Sequence, residues 1–395
     1  MSAMPVEQEH VVTTEQRMPL HAMILLAMAA FVTLLTEIMP AGLLSAISSG
    51  LQVPQAVGGQ FITAFALGAL SAALPSTALT HRMARKKLLL AGLAGFALVN
   101  FANAFASNFP LSLCIRFIAG CCGGLIWAMF AGYATRLAPE GQRGRAIALA
   151  GSGVTLALVL GAPLSAFLGQ MIGWRGAFAA LGGFSAILLV WSAFVLPDAA
   201  GSQSEVSFSI LKTIHLPGVM ANLTVIFSFV SAHSLLYVYI EPLLAPSGLS
   251  GRIDALLLLF GAASVVGLFA NGLLIDRRMA SLISASIVLF AGASLILGLA
   301  LTHAVPVCVA IIFWGLTTGG FAALTQSAMA HVSGSSVDTA QAMATTAWNL
   351  AVSFGGLLGG LALTHVSIAS LPLMAVALLL IGLAAFVRGL RPLIG

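Results

Sequence analysis

Glu37 and Arg116 stand out in this chain because each falls inside a long apolar stretch. A charge at the centre of a bilayer costs on the order of 2.5 to 3.5 kcal/mol even on lenient insertion scales, so such residues usually mark function. Glu37 belongs to the set Thr33, Thr36, Glu37 and Pro40, whose three- and four-residue spacing places them on one helical face, with Thr33 and Thr36 as candidate substrate contacts. Pro40 and Gly42 loosen the backbone beside it. Arg116 lies about six residues, roughly 9 Å, from the end of its own stretch, and Glu37 is at a comparable depth. A dry site favours the neutral acid, whereas a nearby guanidinium favours the carboxylate. A movement that changes their separation could therefore load and release a proton. The competing readings are a fixed ion pair, or a Glu37 that meets only substrate. Arg116 stays protonated throughout and would combine structural and coupling roles.

Other polar and aromatic residues recur at helical spacing. Asn222, Phe229, His233 and Tyr237 form one stripe, in which Asn222, Phe229 and Tyr237 are candidate substrate contacts. There His233 could titrate near neutrality as a second proton or substrate group, or serve as a neutral hydrogen-bonding residue. Arg116, Gly120, Gly123, Gly124 and Trp127 form another, with glycines that permit close approach of a helix or ligand and an indole wall. Trp314, Thr317, Thr318 and Phe321, and then Gln341, Thr345, Trp348 and Asn349, suit either a substrate pocket or helix packing. Glu241, beside Pro242, is expected at the outer water boundary without need of a partner. Cys114, Cys121, Cys122 and Cys308 have no metal-ligand spacing and are expected to be small buried apolar residues. Neither a metal site nor a cofactor is expected, since His-Glu-x-x-His, Cys-x-x-Cys and phosphate-cradling motifs do not occur.

The elements that carry these residues follow from composition. Of 395 residues, 60% are hydrophobic and only 7% charged, against about 25% charged in soluble proteins. Mean hydropathy is +1.08. Lipid must be the solvent for much of the chain, which excludes a cytosolic enzyme and provides for about twelve membrane helices. The apolar runs fall at residues 20–46, 56–79, 88–107, 110–136, 146–170, 176–196, 217–240, 254–275, 281–301, 304–330, 339–363 and 367–388. The expected fold is an all-α polytopic membrane protein with 12 transmembrane helices in two pseudo-symmetric six-helix halves. Polar residues 1–18, including Glu7, Glu9, Glu15 and Arg17, precede no signal-type cleavage site and should form a retained cytoplasmic tail.

With that end inside, the basic residues partition strongly. Arg17, Arg82, Arg85, Lys86, Lys87, Arg136, Arg143, Arg145, Lys212, Arg277, Arg278, Arg388 and Arg391 face the cytoplasm, and only Arg175 and Arg252 face outward, as the positive-inside rule expects. The net charge of +5 is thus topogenic rather than a nucleic-acid footprint. Gly173, Trp174 and Arg175 are expected to form an interfacial anchor. The polar interval 198–216 separates the halves, 19–197 and 217–390, and residues 391–395 form a cytoplasmic tail. The halves echo each other at an offset of about 196: Arg82-Met83-Ala84 recurs as Arg278-Met279-Ala280, and Gly123-Gly124 as Gly319-Gly320. The same offset sets His233 against Glu37. Such internal symmetry marks transporters with a site between the repeats.

The motif Thr36-Glu37-Ile38-Met39-Pro40-Ala41-Gly42-Leu43-Leu44, the basic loop Arg82 to Lys87, and Arg116 with Gly120 and Gly124 resemble the major facilitator superfamily. Within it they resemble the 12-helix bacterial drug:proton antiporter branch. Gly161-Ala162-Pro163 and Gly173 to Phe178 extend the resemblance. Phe130 to Pro139 and Pro217 to Ala221 bring it nearest to purine ribonucleoside and sugar efflux pumps. Two departures stand out. The family loop Gly-x-x-x-Asp-Arg-x-Gly-Arg reads Thr77, His81, Arg82, Ala84 and Arg85 here, without its acid, whereas Gly272, Asp276 and Arg277 keep the pattern in the second half. Ala162 interrupts the antiporter Gly-Pro pair.

The resemblance implies gating roles for Arg82, Arg85, Asp276, Arg277, Gly161 and Pro163. It also implies a secondary transporter that exports a drug, nucleoside or sugar against proton entry by alternating access. The expected setting is a monomer in the bacterial inner membrane with both termini cytoplasmic, its partners being the solute, protons and the bilayer, with no nucleic acid. The alternatives are a proton-coupled importer, which shares the fold, and a nontransporting membrane receptor or membrane enzyme.

Overall fold

In an apolar medium, backbone N–H and C=O groups must pair within their own segment, so a chain of this composition folds as helices. In the computed structural model every regular element among the described residues is helical. The structure describes residues 18–80, 82–139, 142–200 and 210–394. The expected tail with Glu7, Glu9, Glu15 and Arg17, the loop residue His81, and the linker residues Gly201 to Glu205 lie outside them. Of Thr77 and Arg143 only the backbone is described.

The long helices are α1 Leu20–Ile38, α2 Gln60–Thr80, α3 Arg85–Phe105, α4 Phe109–Leu137, α5 Arg143–Leu156 and α6 Ala162–Val195. Then follow α7 Val219–Tyr237, α8 Ile253–Ala300, α9 Ala304–Thr318, α10 Phe321–Ser333, α11 Val337–His365 and α12 Ser370–Ala385. Among the described residues, nine helical stretches are long and apolar enough to cross a membrane. Two of them, Arg145–Val195 and Ile253–Ala300, have 51 and 48 residues, about twice what one crossing needs. Each contains one residue of non-helical backbone, Gly173 (φ 74°) and Arg278 (φ −140°, ψ 29°), where the sequence suggests short loops. Only glycine takes the Gly173 conformation without strain.

Prolines shape the helices near the candidate site. Pro40 falls in a 3₁₀ segment, Met39–Leu43, that ends α1 just past Glu37. Pro163 has no N–H to offer the turn before it, and the chain passes through a π turn, Ala157–Gly161, between α5 and α6. At the start of α4 the Asn108 side chain caps the Leu111 N–H at 2.9 Å, with Pro110 in the first turn. That cap fixes the register that sets the depth of Arg116.

Buried side chains form two clusters. One draws only on residues 22–196; the other draws mainly on residues 219–390 but takes in Ile38, Ala41, Leu44, Ile62, Ala66, Ala162 and Ala166 from the first part of the chain. Leu34 packs against both. Phe105, Phe194, Leu273 and Leu299 are among many large apolar side chains exposed on the outside, as a lipid-facing surface requires. Cys114 is also exposed and the other three cysteines are half-buried, Cys122 packing against the first cluster and Cys308 against the second.

The glycines of α4 are explained by packing. A Cβ on Gly120 would collide with the Phe65 carbonyl, one on Gly68 with the Phe117 carbonyl, and one on Gly124 would lie 2.6 Å from the Ala69 carbonyl. The same design recurs between α8 and α9: Gly319 abuts the Ser264 carbonyl and Gly267 the Leu316 carbonyl. Both pairs match the first set at an offset of 199 rather than the 196 read from sequence.

Candidate functional site

Arg116 is 1% exposed yet forms no hydrogen bond to a carboxylate among the described residues. Its Nη2 donates to the main-chain carbonyl of Glu37 at 3.2 Å and its Nε to the carbonyl of Phe61 at 3.3 Å, while Nη1 is buried without a hydrogen-bond partner. The guanidinium also lies 5.0 Å from the ring centroid of Phe65. The bond to Glu37 falls where α1 passes into its 3₁₀ segment, so Arg116 clamps α1, α2 and α4 together. The Glu37 carboxylate has no hydrogen-bond partner among the described residues and is partly exposed. It lies on α1 one turn past Leu34 and next to Ile38, both of which pack with the second cluster. The arrangement is an acid with no hydrogen bond among the described residues beside a cation whose hydrogen bonds go to main-chain carbonyls.

The second group of candidates converges on an aromatic box. His233 on α7 lies 5.1 Å from Tyr237, 5.9 Å from Phe260 and 5.6 Å from Trp314, centroid to centroid. Trp314 donates its indole N–H to His233 Nδ1 at 3.1 Å and stacks on Phe290. One turn along α7, Phe229 stacks on Phe321 at 3.6 Å. Phe260 and Phe290 were missed in the sequence because an aromatic ring among aliphatic neighbours carries no polar signal.

Several candidates are committed elsewhere. Thr33 and Thr36 are fully buried, the first donating to the Ala29 carbonyl and the second accepting from Asn100. Asn222 is buried and bonds the Thr325 carbonyl at 2.9 Å, joining α7 to α10. Phe229 and Phe321 are core residues in this arrangement, and Thr317 bonds back to Trp314 O. Gln341 reaches the Gln326 carbonyl at 2.8 Å, whereas Thr345 is exposed and Trp348, Asn349 and Trp127 are half-buried. Among the gating candidates Arg82, Asp276 and Arg277 are exposed and Arg85 half-buried. Gly161 and Pro163 flank the end of the π turn. Trp174 is not an exposed anchor; it is buried against Gly50, with Arg175 stacked 4.2 Å from its ring.

Glu241 has a partner after all. Its Oε2 accepts the Ser45 N–H at 2.9 Å, because α1 passes into an irregular turn there and leaves that N–H without a helical acceptor. Nearby, Tyr239 Oη lies 2.9 Å from the Gly356 carbonyl and 3.2 Å from that of Ala56, and Gln60 bonds the Tyr239 hydroxyl. At this end of the bundle the two parts of the chain are fastened together.

Residues 26–305 match the model of the Major Facilitator Superfamily. The chain belongs to that superfamily. Its fold also resembles the crystal structure of the human organic anion transporter MFSD10 (TETRAN), with a TM-score of 0.69 and 17% identity over 94% of this chain and 100% of that one. As a member of the superfamily it is a multi-pass membrane protein and a secondary transporter, not an enzyme.

Proposed function

We propose that the protein is a proton-coupled exporter of small organic molecules, closest to the bacterial drug:proton antiporters, working by alternating access in the inner membrane as a monomer with both termini in the cytoplasm. The observation that carries the reading is the Glu37 carboxylate, unpartnered and partly exposed on the face of α1 turned to the second core. Beside it Arg116 spends its bonds on main-chain carbonyls, so the acid is left free to titrate as its surroundings open and close. The nine apolar stretches support twelve crossings once the breaks at Gly173 and Arg278 each divide a stretch and α2 is included. The paired glycine contacts at offset 199 support two repeated halves, 19–197 and 217–390. With the basic ends inside, the Glu241 and Tyr239 fastenings lie at the outer mouth, and the arrangement is closed outward. Export as the direction rests on the sequence resemblance to the antiporter branch.

A transport panel in proteoliposomes tests this. Nucleosides, sugars and cationic drugs are offered to wild type and to Glu37→Gln under an imposed pH step. Movement of at least one class against its gradient by wild type and not by the variant is expected; equal uphill movement by both would exclude Glu37 as the coupling group.

A further inference from the structure

We propose that His233 is a hydrogen-bond donor to substrate, fixed in one tautomer by Trp314, and that it selects flat ring solutes bearing an in-plane acceptor atom; the inference rests on the transporter reading above. An indole nitrogen can only donate. The 3.1 Å bond from Trp314 Nε1 therefore makes His233 Nδ1 an acceptor and puts the hydrogen of the neutral ring on Nε2. A ring protonated at both nitrogens has no acceptor to offer the indole. Trp314 is 1% exposed and stacked on Phe290, so it holds this geometry from behind.

Nε2 has no hydrogen-bond partner among the described residues, and it is not one of the enclosed orphan atoms. His233 itself is partly exposed. Tyr237 and Phe260 are near-parallel to the imidazole, at 25° and 28°, and lie 5.6 Å from each other, so both pack on one side of it. What the ring offers a solute is the Nε2–H, which points outward in the ring plane. The complement is a lone pair in the plane of another ring, as on a heteroaromatic nitrogen or ring carbonyl, in a solute whose faces suit aromatic walls.

The test is calorimetric binding to the purified full-length protein in nanodiscs, with no gradient. The probes are quinolinylmethylamine and its isostere naphthylmethylamine, which differ only in a ring nitrogen. Wild type should bind the quinoline about tenfold more tightly, the size of one hydrogen bond. His233→Leu should abolish the preference, and His233→Gln should retain part of it. Trp314→Phe, which frees Nδ1, should reduce the preference and give mixed tautomers by nitrogen NMR where wild type shows only Nε2–H. Equal affinities in wild type, a preference that survives His233→Leu, or no binding of either probe would overturn the proposal. A merely structural His233 would weaken both probes alike. Selective binding without movement across a sealed bilayer would instead sink the transporter reading and leave this one standing.

Discussion

Gly261→Ala should drive the protein out of its present conformation. Gly261 lies on α8, and a Cβ there would sit 2.6 Å from the Leu158 carbonyl and 2.7 Å from the Val159 Cα, both backbone atoms of the π turn. Ordinary contact begins near 3.4 Å, so the two segments must part by roughly 0.8 Å. Neither neighbour is a side chain that can swing aside, and overpacking of this kind costs about 1 to 3 kcal/mol. Because the contact joins the two proposed halves, that cost falls on the outward-closed state of the proposed cycle and is relieved when they separate. The equilibrium should shift about 5- to 150-fold toward the outward-open form. Spin labels at the exposed positions Ser49 and Ala245, on a background without native cysteines, report the distance across the outer mouth. Gly272→Ala on the same helix is the control, since a Cβ there meets nothing within 4 Å. If both variants give the wild-type distance distribution, the proposed role of this contact in alternating access is wrong.

Tyr239→Phe removes the hydroxyl that ties the segment just after α7 to the Gly356 and Ala56 carbonyls. With a net cost of about 1 kcal/mol, it should open the same mouth about fivefold more often in the same label experiment. Arg116→Lys keeps the charge but cannot serve two divergent carbonyls with a compact ammonium. One carbonyl is left unpaired at about 1 to 3 kcal/mol, so the thermal midpoint in detergent should fall and uphill transport be lost. Wild-type stability in that variant would show that the clamp does not matter.

Helix type and the rarity of charge were legible in the sequence because lipid leaves a chain few other options. Glu37 and Arg116 were found for the same reason. Their relation was not: spacing gives depth and face but not which oxygen a guanidinium reaches, and Arg116 chose the Glu37 carbonyl. The polar residues Thr33, Thr36 and Asn222 looked like ligands, but side chains of this kind satisfy helix carbonyls or each other equally well, and here all three do. Glu241 looked solitary because its partner is a backbone N–H exposed by a helix break 196 positions away. The glycines of α4 could be read for close approach but not for their partner, which needed the packed α2.

The most direct test of the central claim is to measure proton movement itself. A pH-sensitive dye trapped in proteoliposomes, with the panel's best solute added on the cytoplasmic side of the protein and no other gradient, reports protons carried in exchange. Wild type should move protons opposite to the solute, with a rate that rises as the outer side is acidified, and Glu37→Gln should pass solute downhill without moving protons. Proton movement of wild-type size in Glu37→Gln would contradict the account.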